Sequence, residues 1–210
     1  MIVSTNALVR NLGLGTIITL QHDSEQARGV NTTLDTGAES KIRRIHKEDY
    51  DDVGRFCKKT LNWMWKKYLK PVYPKEANEF HIANWSSKNL ATRFADPSKF
   101  GFVAVEGKKI CGVLLGTKYG KSGFAMISWI AVDPDHQHEG IGIKLMTAAE
   151  DALKKEGCHK LSLNTLPALL PAIRLAMKFG MLPEAHLRQQ WWGADFVLMS
   201  KWIGKYEKRT

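Results

Sequence analysis

The chain has 210 residues, 44% of them hydrophobic, with mean hydropathy -0.28 and formal net charge +10, which fits one ordinary soluble domain with room for an appendage. No apolar run approaches the roughly 18 residues of a membrane span. Cys57, Cys111 and Cys158 are neither the even set of a disulfide framework nor spaced as zinc ligands, so a reducing cytoplasm is the expected setting.

Residues 1–40 contain no aromatic residue, whereas the rest of the chain holds all 7 Trp, 5 Tyr and 8 Phe. Thr, Asn and Gly dominate the second half of this segment, which reads as a flexible leader. The Leu12 to Leu20 run, interrupted by glycines and threonines, makes a poor signal-peptide core. Ile42 to Ile45 then read as a short strand. Acidic residues at 48, 49, 51 and 52 suit the first turn of a helix whose buried side is Val53, Phe56, Cys57, Thr60, Met64 and Leu69. Lys58, Lys59, Lys66, Lys67 and Lys70 mix there with Trp63 and Trp65, either as a solvated face over core tryptophans or as a wall for an acidic or aromatic ligand. Pro71 and Pro74 end the helix, and residues 75–95 read as a second helical stretch. Phe100 to Val105 and Ile110 to Tyr119 form a hairpin around Glu106-Gly107-Lys108-Lys109, with a bulge expected at Gly112.

The chain returns through Gly120 to Gly123 into a wholly apolar strand. Phe124, Met126, Ile130 and Val132 fall on one face and Ala125, Ile127, Trp129 and Ala131 on the other, as in a central strand buried on both sides. After Asp133-Pro134-Asp135 come Gln137-His138-Glu139-Gly140-Ile141-Gly142, and from Ile141 apolar residues recur at 145, 148, 149 and 152, at helical spacing. Glycines therefore sit where a strand becomes a helix. Unpaired N–H groups and the positive end of the macrodipole make that junction a phosphate cradle. The third glycine of a dinucleotide fingerprint and the Gly-Lys-Ser/Thr of a nucleotide-triphosphate loop are both missing. Glu150 with Lys154 and Asp151 with Lys155 are expected as pairs on the helix's exposed side, and Gly157 ends it. Leu161, Leu163 and Thr165 alternate with Ser162 and Asn164 in a strand that must run parallel to the central one. Pro171 opens a helix that buries Ala172, Leu175, Ala176 and Phe179 and stops at Gly180. Met181 to Gln190 and Phe196 to Ile203 form a last hairpin around Trp191 to Asp195, and residues 204–210 are a basic tail. Neighbouring positions on a strand face opposite ways, so one of Trp191 and Trp192 is expected at the surface or lining a pocket.

The loop Gln137-x-x-Gly140-x-Gly142, after a strand ending Ile130-Ala131-Val132-Asp133-Pro134, resembles the acetyl-CoA loop of the Gcn5-related N-acetyltransferase (GNAT) superfamily. The element order β, α, α, β, β, β, α, β, α, β, β over residues 41–203 is similar to that family's. The resemblance implies an α/β (α+β) fold: a mixed, mostly antiparallel sheet with flanking helices and a splay between strands 4 and 5. It implies acetyl-CoA as cosubstrate and no metal. Ile130, Ala131 and Val132 would hydrogen-bond the pantetheine arm, and Gln137, His138, Glu139, Gly140, Ile141, Gly142 and Ile143 would hold the pyrophosphate. Trp191 and Trp192 are candidate substrate contacts. The implied reaction is direct acetyl transfer to a primary amine, whether a small molecule, a lysine or a protein N-terminus. A homodimer is left open, and the cofactor's phosphates give the basic charge a reason that needs no nucleic acid.

Two departures stand out. In ribosomal-protein N-terminal acetyltransferases, whose Val-Asp-Pro-Asp loop residues 132–135 resemble, a glutamate on the fifth strand is the base and a tyrosine on the next helix the acid; by spacing those positions fall on Asn164 and Ala176. Asn164 is therefore expected to orient a water rather than accept a proton, with His186 the fallback base. Glu139 stands where the family carries basic residues, and is expected to face solvent. His136, His138, Cys158 and His159 fit no standard metal spacing. The alternative reading is a non-catalytic acyl-CoA-binding or sensing domain.

Overall fold

The computed structural model describes residues 40–206, so the leader assigned to 1–40 lies outside the described residues except for Ser40, as does the end of the tail assigned to 204–210. Seven strands form one sheet in the order β1-β2-β3-β4-β5-β7-β6. They are β1 (Lys41–Arg44), β2 (Lys99–Glu106), β3 (Lys109–Lys118), β4 (Phe124–Val132), β5 (Lys160–Thr165), β6 (Leu182–Trp191) and β7 (Ala194–Trp202). Every pairing is antiparallel except β4 with β5, the pair joined by a helix. This is the mixed, mostly antiparallel sheet with flanking helices that the sequence implies.

One face carries α1 (Tyr50–Met64), α2 (Lys75–Asn84) and α3 (Ser87–Phe94). Val53, Phe56, Cys57 and Leu61 of α1 pack there with Trp85, Leu90, Val103, Val113 and Leu115. The helix α4 (Ile141–Lys155) crosses the other face against β2, β3 and β4, and α5 (Leu170–Lys178) packs on α4. Gly112 makes the crossing possible: a Cβ there would meet Ile141 and Leu145 at 2.8 and 3.0 Å. The bulge expected at Gly112 lies one residue earlier, since β3 pairs Gly112 with Ala104 and Ile110 with Val105 and leaves Cys111 extra.

Several local expectations give way to tertiary packing. The stretch 75–95 is two helices, broken at Trp85 and Ser86; the break turns both Trp85 and Leu90 into the core. After Met64, residues Trp65–Leu69 form a π turn that places Leu69 in a second cluster with Tyr73, Ala77, Leu166 and Phe196. Glu150 is not on an exposed side: it is 8% accessible and held by Lys154 and by Lys201 of β7, each at 2.6 Å. In α5 the buried positions are Ile173 and Ala176, with Ala172 and Leu175 half-buried. The last hairpin is tighter than expected, because Trp191 pairs with Ala194 and only Trp192 and Gly193, both at positive φ, make the turn. Among the described residues no helix is long and apolar enough to cross a membrane.

Candidate functional site

The site begins where β4 and β5 part. Their parallel ladder runs from Phe124↔Lys160 to Ile127↔Leu163 and stops, although β4 continues to Val132 and β5 to Thr165. The cause lies on the other side of β4. There Ile127 pairs with Gly116 and Trp129 with Leu115, so Ser128 is an extra, bulged residue that bends β4 away from β5. The bulge also overturns the expected alternation. Trp129 and Ala131 turn to the α1 core, and Ile130, opposite Leu114, shares the α4 face with Ile127. Trp129 to Val132 are half-buried rather than fully buried, and their β5-facing backbone groups have no strand partner. Ile130, Ala131 and Val132 therefore line an open wedge with free donors and acceptors along one wall.

The next residues fix the loop. Asp133, 1% accessible, receives Lys59 Nζ of α1 at 2.8 and 3.1 Å and the Asp135 N–H at 3.2 Å, while its own N–H donates to Cys111 C=O. Burial opposes ionisation of this carboxyl, yet the Lys59 ammonium and the Asp135 N–H hold it below the usual carboxylate range. Lys59 is thus a structural tie rather than part of a substrate wall. Beyond the short turn Pro134–His136, Gln137 is half-buried, His138 sits at φ 72 and Glu139 is exposed. Gly140, at φ 79, caps α4. Lys144 N–H is the first to close the helical ladder, onto Gly140 C=O at 3.0 Å, which leaves the N–H groups of Ile141, Gly142 and Ile143 without helical acceptors.

The two glycines are not equivalent. A Cβ on Gly140 would meet nothing within 4 Å, whereas one on Gly142 would meet both Leu175 methyls at 3.0 Å. Gly140 keeps a cradle clear, and Gly142 lets α5 approach α4. Unpaired amides, a helix dipole and a bare Cα fit a pyrophosphate. The wedge beside them fits a linear amide-bearing arm.

On the other wall, Asn164 lies just past the last β5 residue paired with β4, on the face opposite Leu163 and so towards α1 and α2. Its Oδ1 is buried without a partner, as is Thr165 Oγ1. Ser162, on the same face as Asn164, is satisfied by Ser200 at 2.7 Å, which in turn donates to Glu184. Ala176 is fully buried and can move no proton. His186 is on edge strand β6, two strands from β5, and its Nε2 is 3.0 Å from Asp195. Trp191 and Trp192 are 52% and 41% accessible, so both, not one, reach the surface. The positive φ of Trp192 turns its ring onto α2, against Phe80, His81 and Tyr73, with centroids 5.1, 5.8 and 5.9 Å away.

Sequence reasoning passed over Tyr73 and His81. Tyr73 is 4% accessible and its Oη lies 3.2 Å from His81 Nε2. Burial pushes the Tyr73 phenol up to about 12 and the His81 imidazole down from its ordinary range, so both are neutral at pH 7. Eight residues and a proline turn separate them, and no local spacing marks the pair. Among the described residues no three His, Cys, Asp or Glu side chains could hold a metal ion; His136 is engaged with Glu106 at 3.1 Å and His138 is exposed.

A model of the Acetyltransferase (GNAT) family matches residues 58–181. Among curated protein sequences none matches the chain significantly. The solved PaiA N-acetyltransferase of Thermoplasma acidophilum, in complex with coenzyme A, superimposes with TM-score 0.65 at 20% identity, over 78% of this chain and 98% of that one. The ribosomal-protein-S18-alanine N-acetyltransferase of Escherichia coli gives TM-score 0.61 at 20% identity over 81% and 98%. The spermidine N-acetyltransferase of Vibrio cholerae, in complex with CoA and spermine, gives 0.60 at 18% over 79% and 96%. At these identities the likeness to solved structures is one of fold.

Proposed function

The chain belongs to the acetyltransferase (GNAT) family, and from that premise we propose that it moves an acetyl group from acetyl-CoA to a primary amine by direct attack in a ternary complex. The observation that carries the reading is the wedge between β4 and β5, opening beside the unpaired N-terminal amides of α4. Acetyl-CoA supplies the thioester. The N–H groups of Ile141, Gly142 and Ile143, with Gln137, His138 and Glu139 in the preceding loop and Gly140 keeping it clear, would hold the pyrophosphate. The free edge of Ile130 to Val132 would hold the pantetheine amides and polarise the acyl carbonyl. Asn164, just past the β4–β5 ladder and with a buried, unpartnered oxygen, would orient the acceptor or its water. Trp191 and Trp192 would form the acceptor wall.

Acceptors named for the structural neighbours range from spermidine to a ribosomal-protein alanine. The acceptor proposed here is the shared chemistry, an amine on a small molecule, a lysine or a protein N-terminus. Acetyl-CoA with a panel of such amines should release thiol above the hydrolysis rate for at least one acceptor. Amide and methyl groups at the two proton-transfer positions, Asn164 and Ala176, favour one second reading, a non-catalytic acyl-CoA sensor. Tight acetyl-CoA binding with no amine-dependent thiol release from any acceptor would select the sensor.

A further inference from the structure

We infer that Tyr73 and His81 form the proton relay of this reaction, with Tyr73 Oη on the acceptor side and His81 Nε2 holding the proton until the thiolate departs. The inference rests on the transferase reading above. Its first ground is position. The Tyr73 ring lies in the buried cluster that holds Leu166, one residue beyond β5, and meets the Phe196 ring of β7 edge-on at 6.2 Å. Asn164 precedes Leu166 by two residues and pairs with Leu198, which shares a face of β7 with Phe196. Tyr73 therefore lies over the sheet face to which Asn164 belongs, at the open end of the wedge.

The second ground is connection. The Tyr73 hydroxyl is buried and has His81 Nε2 at 3.2 Å, and His81 is itself half-exposed. A hydrogen-bonded path thus leads from the interior beside the wedge to the surface. The rings packed on His81 are those of Tyr73, Phe80 and Trp192, and burial disfavours the imidazolium, so a neutral imidazole whose Nε2 lone pair accepts from the Tyr73 phenol is the resting form. The third ground is that Lys59, His186 and Cys57 are not available for this task. Lys59 is bound to Asp133, His186 on edge strand β6 is bound to Asp195, and burial pushes the Cys57 thiol up to about 12.

In the step, the amide C–N bond forms as the thioester C–S bond breaks. The attacking amine's proton passes to Tyr73 Oη while the phenolic proton passes to His81 Nε2. Return along the same path gives the proton to the departing thiolate, so the products are amide and thiol with Tyr73 and His81 restored.

Tyr73→Phe keeps the ring that packs on Leu166 and Phe196 and removes only the hydroxyl. In the full-length protein, with an acceptor found in the amine panel, it should lower kcat about ten- to a hundredfold while acetyl-CoA affinity by calorimetry is unchanged. His81→Gln should give a comparable loss, and the double variant should be no slower than either single one. A readout independent of turnover is the His81 imidazole titration by NMR. It should lie below the ordinary value of about 6.5 and move upward in Tyr73→Phe, because the phenol donates to the neutral ring. Wild-type kcat in a folded Tyr73→Phe protein, or losses that multiply in the double variant, would overturn the route. Absence of amine-dependent thiol release in the wild type would instead remove the transferase reading, and the route with it.

Discussion

Gly140 and Gly142 are two residues apart in one loop, yet substituting them should damage different properties. At φ 79 Gly140 occupies the left-handed region, where an ordinary side chain costs about 1–2 kcal/mol. For a domain of this size that is a melting shift of about 2–8 °C. Asparagine tolerates this region better, so Gly140→Asn should keep the backbone and lose less stability than Gly140→Ala. Both variants place atoms where the Cβ direction is empty, in the space assigned to the pyrophosphate. Losing close amide approach to an anion should weaken acetyl-CoA by about 2–3 kcal/mol, or roughly 30- to 150-fold. Gly142→Val instead drives a branched side chain into Leu175 methyls already 3.0 Å from an ideal Cβ, an overpacking cost of about 1–3 kcal/mol. Calorimetry with acetyl-CoA beside thermal unfolding separates the two. The reasoning is refuted if folded Gly140→Asn binds acetyl-CoA as the wild type does.

Lys59→Met leaves the Asp133 carboxylate buried without its cation and should cost about 1–2 kcal/mol at pH 7, less than the 3–5 of a wholly buried pair because Lys59 is half exposed. Since Asp133's folded pKa is depressed, the pair's stabilisation is present above the unfolded value of about 4 and lost as pH falls through the folded one; denaturant titrations should show the gap between variant and wild type closing below about pH 4, and a gap constant with pH would refute the linkage. Asn164→Ala should lower turnover about ten- to a hundredfold with acetyl-CoA affinity intact, and wild-type turnover in that variant would remove Asn164 from the site. Trp192→Ala should raise the acceptor KM severalfold without altering acetyl-CoA binding, and an unchanged KM would take the hairpin tip out of the acceptor wall.

Much of the cofactor side was legible because it is local. A strand ending Val-Asp-Pro, a glycine loop and an amphipathic helix lie within 35 consecutive positions, and the parallel return of β5 follows from chain connectivity alone. What escaped was set by partners distant in sequence. The Ser128 bulge, which reverses the faces of the β4 end and opens the wedge, depends on the register with β3. Glu150 reads as a surface residue until Lys201 of β7 closes over it, and Lys59 as a free cation until Asp133, 74 positions later, is placed beside it. Trp192 breaks local preference by adopting φ 48, and ring contacts with Phe80, His81 and Tyr73 accompany that backbone. The Tyr73–His81 pair likewise exists only once α2 has folded back over the turn that precedes it.

The proposed cofactor site can be tested most directly by amide hydrogen exchange of the full chain with and without acetyl-CoA. Binding at the wedge and helix terminus should slow exchange at Ile130 and Val132, whose N–H groups alternate with those bonded to β3, and at Gly140 to Ile143 at the helix end. Sheet amides of β2 and β7 should be unaffected beyond the uniform gain of a liganded protein. Protection confined to another surface, or none at saturating acetyl-CoA, would contradict the assignment of the site.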